Sequence, residues 1–140
     1  MNRRTTVLIA ASAVLLIAIT ATVVGVGRRR PGDLISPRDA YDMIIDHTAV
    51  LVDVRDRSSY EELHLAGAIL VPLNQVGANA ARLAELDRTL IIYCSCPAEE
   101  TSSAAAIELI SRGVEDVLVL RGGVRGWVES DLPVRLGSRR

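Results

Sequence analysis

The sequence predicts a small three-layer α/β domain with a mostly parallel sheet, preceded by one membrane-spanning helix. Two observations predict the domain. Short apolar, β-branched runs alternate with helix-patterned stretches at βαβ spacing. A length of 140 residues suits one domain and excludes two full-sized ones. A third observation predicts the span: residues 7–27, VLIAASAVLLIAITATVVGVG, carry no charge.

As a helix that run would be about 32 Å long, enough for a hydrocarbon core of ~30 Å. Arg3 and Arg4 stand before it and Arg28, Arg29 and Arg30 after it. Charge is costly in lipid, so these arginines mark its ends. The alternative is a cleaved signal peptide, whose apolar stretch is shorter, ~7–15 residues, and closes on a small-x-small site. Here the run closes on three arginines. Residues 1–30 therefore read as a retained, single-pass anchor in a bacterial inner membrane. The slight excess of arginine after the span favours a cytoplasmic domain, with the periplasmic side still open.

Residues 31–35 read as a linker, opened by Pro31-Gly32-Asp33. Ser36 then caps a helix over 37–46 whose first residue is Pro37. Residues 49–54 form a buried parallel strand, and 58–63 a helix. Residues 68–71 form a second strand, stopped by Pro72, and 77–86 an alanine-rich helix. A third strand occupies 89–93. The helix over 101–112 ends at Gly113. The fourth strand, 117–120, leads through Gly122-Gly123 into a short helix around Trp127. The domain so drawn covers 36–133 and leaves 134–140 as a tail.

Charge narrows the function. The chain has 16 basic and 17 acidic residues, but every acid lies at or after Asp33. Residues 31–140 hold 11 arginines against 17 acids, a charge of −6. Such a domain repels phosphate backbones, so nucleic acid is not the expected partner. No residue is lysine, which excludes Schiff-base chemistry on lysine.

The chemistry is expected where the third strand ends. Tyr93 runs directly into Cys94-Ser95-Cys96-Pro97-Ala98-Glu99-Glu100, and a helix opens near Thr101 or Ser102. Ligands of parallel sheets sit beyond the carboxyl ends of strands. Free N–H groups at a helix start favour a thiolate, a persulfide or an oxyanion beside it. On that ground the Cys94 sulfur is expected to face backbone N–H groups of residues 96–102 with a lowered pKa, and Cys96 to lie nearer the rim. The competing reading is two buried structural cysteines.

Leu51-Val52-Asp53-Val54-Arg55, Tyr60, His64-Leu65-Ala66-Gly67-Ala68, Ile92-Tyr93-Cys94, Leu120-Arg121-Gly122-Gly123 and Trp127 occur in an order that resembles a rhodanese homology domain over about residues 35–133. That resemblance implies a parallel, about five-stranded sheet with helices on both faces. It implies a sulfurtransferase without cofactor or metal, in which Cys94 takes sulfane sulfur as a persulfide from thiosulfate, a polysulfide or a persulfide and passes it to a thiol or cyanide. The loop residues Ser95, Cys96, Ala98, Glu99, Glu100, Thr101 and Ser102 would surround the substrate. Asp53 and Arg55 would form an ion pair supporting the site, a plain structural salt bridge being the alternative.

The loop departs from the usual family pattern. It is longer by about two residues, Pro97 removes one N–H, and Glu99 and Glu100 stand where a cation is expected. Those carboxylates are expected to disfavour dianionic thiosulfate, or alternatively to serve only the helix dipole. No arginine closes the loop, which excludes a cysteine phosphatase of this shape. Cys96 resolves a Cys94 persulfide, forms a disulfide with it, or simply packs. His64 and Trp127 read as structural. Two other functions stay open: a catalytically weak module that recruits partners, and a Cys-x-Cys redox protein.

Overall fold

The computed structural model describes residues 29–137. The predicted span at 7–27 lies outside them, and among the described residues no helix is long and apolar enough to cross a membrane.

Five strands form one sheet: β1 (Leu34–Ile35), β2 (Ala49–Asp53), β4 (Ile69–Leu70), β5 (Thr89–Tyr93) and β6 (Val117–Leu120), in the order β1-β6-β5-β2-β4. Every pairing in it is parallel. The helices are α1 (Pro37–Ile45), α2 (Arg57–Glu62), α3 (Val76–Ala84), α4 (Glu100–Ser111) and α5 (Gly123–Glu129). A small antiparallel ribbon joins β3 (Leu63–Leu65) to β7 (Val134–Leu136).

Alternation along β5 explains the layers. Leu90 and Ile92 point to one face, where they meet Val76, Ala80 and Leu83 of α3 and Ala105, Ala106 and Leu109 of α4. Ile91 and Tyr93 point to the other, with Ala40 of α1 and Trp127 of α5. Both faces of the central strands are covered, which is why β6, and β2 as far as Asp53, read as apolar runs in the sequence. Ser36 caps α1 as expected, its side chain accepting from the Asp39 N–H at 3.2 Å.

Three expectations are corrected. The residues read as linker are partly sheet: β1 pairs with β6, and the Gly32 N–H bonds the Val117 carbonyl at 2.7 Å. The residues read as tail are partly ribbon, with β7 zipped to β3. The helix expected over 58–63 is α2, ending at Glu62, and Leu63 is already extended in β3. Strands of two or three residues carry no period of their own, so only their partners reveal them.

Trp127 packs, as expected: it is 1% exposed, gives its indole N–H to the Pro133 carbonyl at 3.0 Å, and meets Tyr41 edge-on. His64 is likewise structural, stacked on Tyr60 with Nδ1 2.8 Å from the Tyr60 carbonyl.

Candidate active site

The alternation that builds β5 also places Cys94. Leu90, Ile92 and Cys94 share one face, so the thiol leaves the strand toward α4 and is 1% exposed. Its sulfur lies 3.4 Å from the hydroxyl of Ser102, a fully buried residue in the first turns of α4. Two residues on, the same alternation brings Cys96 to the same side. The two sulfurs are 2.8 Å apart, and the Cys96 N–H donates to the Cys94 sulfur at 3.3 Å. Cys96 is half-buried and its thiol donates to Thr101 Oγ1 at 2.9 Å. Both cysteines are free thiols.

The pair is electrostatically uneven, and the expectation of a lowered Cys94 pKa is overturned. Burial pushes the Cys94 thiol up, and its hydrogen bond to Cys96 pushes it further; Ser102 only partly offsets them. Cys96 also feels burial upward, but its hydrogen bonds with Cys94 and Thr101 outweigh it and leave the thiol below its ordinary value. The first thiolate therefore forms on Cys96, with Cys94 as its proton donor.

The glycine turn fixes the backbone under Cys94. Gly122 and Gly123 both have positive φ, 73° and 50°. A Cβ on Gly123 would collide with the Cys94 carbonyl oxygen. That oxygen accepts from the Val124 N–H at 3.1 Å. Glu99, itself at φ 55°, turns its carboxylate to the Gly122 N–H at 2.6 Å and so ties the cysteine loop to this turn. Glu99 thus bonds protein backbone, whereas Glu100 and Ala98 are exposed.

Asp53 and Arg55 do form an ion pair, on the opposite face of the sheet from Cys94. Asp53 is fully buried; Arg55 grips it with Nε at 2.9 Å and Nη2 at 2.6 Å. The same guanidinium donates to the Leu63 carbonyl at 2.7 Å and to Ser95 Oγ at 3.3 Å, and covers the Tyr93 ring. Although burial works against its charge, Asp53 holds its pKa above the ordinary value. The pair therefore touches the loop at Ser95 and braces it from behind. A cleft of about 650 Å³ opens on that side, with Arg55, Ser59, Glu62, Ser95, Val124 and Leu136 among its walls.

The structure thus brings together Cys94, Cys96, Thr101 and Ser102, and separately Arg55 with Ser95. The Gly122–Gly123 contact with Cys94 was not foreseen. The paired glycines signalled a tight turn but not what it would press against. Leu63 and Leu136 were also missed, because both belong to the ribbon. Among the described residues no three His, Cys, Asp or Glu side chains gather as metal ligands.

Comparison with known proteins agrees with this fold. The rhodanese-like domain profile matches residues 36–130. The chain is 34% identical over 103 residues to a thiosulfate sulfurtransferase, GlpE, of Glaesserella parasuis, covering 74% of this chain and 93% of that protein. It is 33% identical over 100 residues to the protein of that name in Haemophilus influenzae, covering 71% and 91%. Among solved structures, a rhodanese-like domain of Anabaena superposes with a TM-score of 0.68 at 27% identity, covering 80% of this chain and 85% of that one.

Proposed function

Because this chain belongs to the family of rhodanese-like domains, we propose that it is a sulfurtransferase that carries sulfane sulfur as a persulfide on Cys94 and hands it to a thiol or other nucleophile. The observation that carries this reading is the position of Cys94, immediately past the carboxyl end of the central strand with its sulfur beside the first turns of α4.

In the first step the proton on Cys94 passes to the Cys96 sulfur across their 2.8 Å contact. The Cys94 thiolate attacks the outer sulfur of the donor. The donor's S–S bond breaks and its electron pair leaves with the remaining fragment, which is sulfite for thiosulfate and a thiolate for an organic persulfide. In the second step an acceptor thiolate attacks the outer sulfur of the Cys94 persulfide and frees the Cys94 thiolate. No cofactor is needed, since only sulfur–sulfur bonds are exchanged.

The loop favours a donor of low charge. No arginine closes it, Arg55 is committed to Asp53, and Glu100 stands exposed at the start of α4. Thiosulfate is therefore a poorer donor than a persulfide, and Glu100→Gln helps thiosulfate more than the persulfide. The N-terminal run holds the protein in the membrane as a single span, with the domain on the cytoplasmic side. Retention in the membrane pellet after alkaline carbonate extraction tests that; a soluble form beginning near residue 28 would mean a cleaved signal.

The experiment for the sulfur step is mass spectrometry of the reduced full-length chain after incubation with thiosulfate, a polysulfide or a persulfide. Gain of one sulfur on the Cys94 peptide is expected. No gain from any donor would leave the domain as a recruitment module.

A further inference from the structure

The mechanism above uses Cys94 as the carrier and Cys96 only as a proton acceptor. Two sulfurs 2.8 Å apart are poorly separated for that limited role. A disulfide needs about 2.05 Å between sulfurs, so closing the pair takes a movement of under about 1 Å. Handing a sulfur atom from one cysteine to the other takes the opposite change. The travelling atom would sit in line between them with two partial S–S bonds, which needs roughly 4 Å or more between the outer pair. The loop is built short for relay and near the right length for closure.

The surroundings favour Cys96 as the attacking partner. It is half-buried where Cys94 is 1% exposed, so it stands between Cys94 and solvent. Thr101 Oγ1 lies 2.9 Å from its sulfur and turns its own hydrogen toward that sulfur once the thiol ionises. Of the pair, Cys96 is the thiol that ionises first.

Resting on the reading of Cys94 as the sulfur carrier, we propose that Cys96 is a resolving thiol: it attacks the inner sulfur of the Cys94 persulfide, forms a Cys94–Cys96 disulfide and expels the sulfane sulfur as hydrosulfide. The bond made is Cys96 Sγ–Cys94 Sγ; the bond broken is Cys94 Sγ to the outer sulfur, which leaves with the electron pair and, as hydrosulfide, carries away the proton that Cys96 took from Cys94 during loading. The sulfane sulfur is reduced by two electrons, and the two cysteine thiolates supply them. The disulfide returns to dithiol through an external thiol reductant, which meets Cys96 first because Cys94 is buried. In the presence of such a thiol the chain is a sulfide-releasing reductase of sulfane sulfur. A transferase that delivers intact sulfane sulfur to an acceptor competes with it for the same persulfide.

The test follows the fate of one loaded sulfur. The full-length chain and its Cys96→Ser and Cys96→Ala variants are reduced, freed of reductant and treated anaerobically with inorganic polysulfide. Excess polysulfide is removed, and intact mass and released sulfide are followed. The wild type is expected to lose two hydrogens relative to its reduced form and to release about one sulfide per chain. Both variants lack the proton acceptor and load more slowly, but once loaded they are expected to keep one added sulfur on Cys94 and to release none until a thiol is added. A wild type that keeps the added sulfur on either cysteine, while the variants keep it on Cys94, overturns this inference and leaves the carrier reading intact. Failure of wild type and both variants to acquire sulfur or to form the disulfide overturns both.

Discussion

Arg55 holds Asp53, Leu63 and Ser95 with one planar group, and its value depends on all three contacts. Removing it leaves the Asp53 carboxylate buried without its partner, a loss of about 3–5 kcal/mol for a broken buried pair. Arg55→Met is therefore expected to lower the urea midpoint markedly, and Arg55→Lys to recover only part of the loss because a point charge cannot grip both oxygens. A second expectation at this scale concerns the thiols. A lowered pKa puts thiolate on Cys96 at a pH where a free cysteine, at ~8.5, is still protonated. The pH profile of Cys96 alkylation should have its midpoint below that of a free thiol. Cys94→Ala removes one of the hydrogen bonds responsible, so the midpoint should move up. An unchanged midpoint in the variant would mean that Thr101 alone holds the charge. These contacts were only partly legible in the sequence. The adjacency of two cysteines to a helix start could be read directly, and the Asp53–Arg55 pairing was implied by the family resemblance. The ionisation order could not, because it depends on how deep each sulfur lies, and that is decided by the packing of α4 over β5.

At the scale of elements, legibility followed length and period. The expected strands at 89–93 and 117–120 have the observed ends, and the three longer helices lie within two residues of their expected limits. In each case an apolar run or a helical stripe of several residues recorded burial directly. β1, β3 and β7 have two or three residues each, and their signal lies in partners far along the chain, so in sequence alone they read as linker, helix end and tail. The glycine turn before α5 shows the same division. Its dihedrals were expected from Gly122-Gly123, whereas its contact with Cys94 is a property of the assembled fold. Gly113→Ala and Gly123→Ala separate the two effects. Gly113 has φ 86° with open space around a would-be Cβ, so alanine there costs about 1 kcal/mol of backbone preference. At Gly123 the same substitution must also displace the Cys94 carbonyl. It should destabilise by a few kcal/mol, ~2–4, and slow sulfur loading, because the carbonyl and the thiol share one backbone. Thermal unfolding and loading rates measured side by side check this; equal losses at the two glycines would mean that the loop gives way freely.

For the whole molecule, the corrected boundaries change where it can be cut. A chain beginning at Arg29 retains the Gly32–Val117 hydrogen bond and β1, and should fold with unchanged stability. A chain beginning at Ser36 lacks Ile35, which is 1% exposed under α1 and α5, and the edge strand of the sheet. The apolar loss alone is about 1.5–3 kcal/mol, so a clear fall in melting temperature is expected by circular dichroism, and equal melting of the two would show that β1 contributes nothing. The same edge has a further consequence. All five strands run in one direction, so the chain enters the sheet at the foot of β1 while Cys94 stands at the head of β5. The proposed span ends at residue 27, five residues before Gly32, and five extended residues reach about 17 Å. With that proposed span in the bilayer, so short a leash, tied to the far end, would hold the foot of the sheet near the membrane and leave the sulfur end toward the aqueous space. In that placement acceptors as bulky as another folded protein would reach it freely, whereas a molecule dissolved among the lipid tails would have to leave the bilayer to be served.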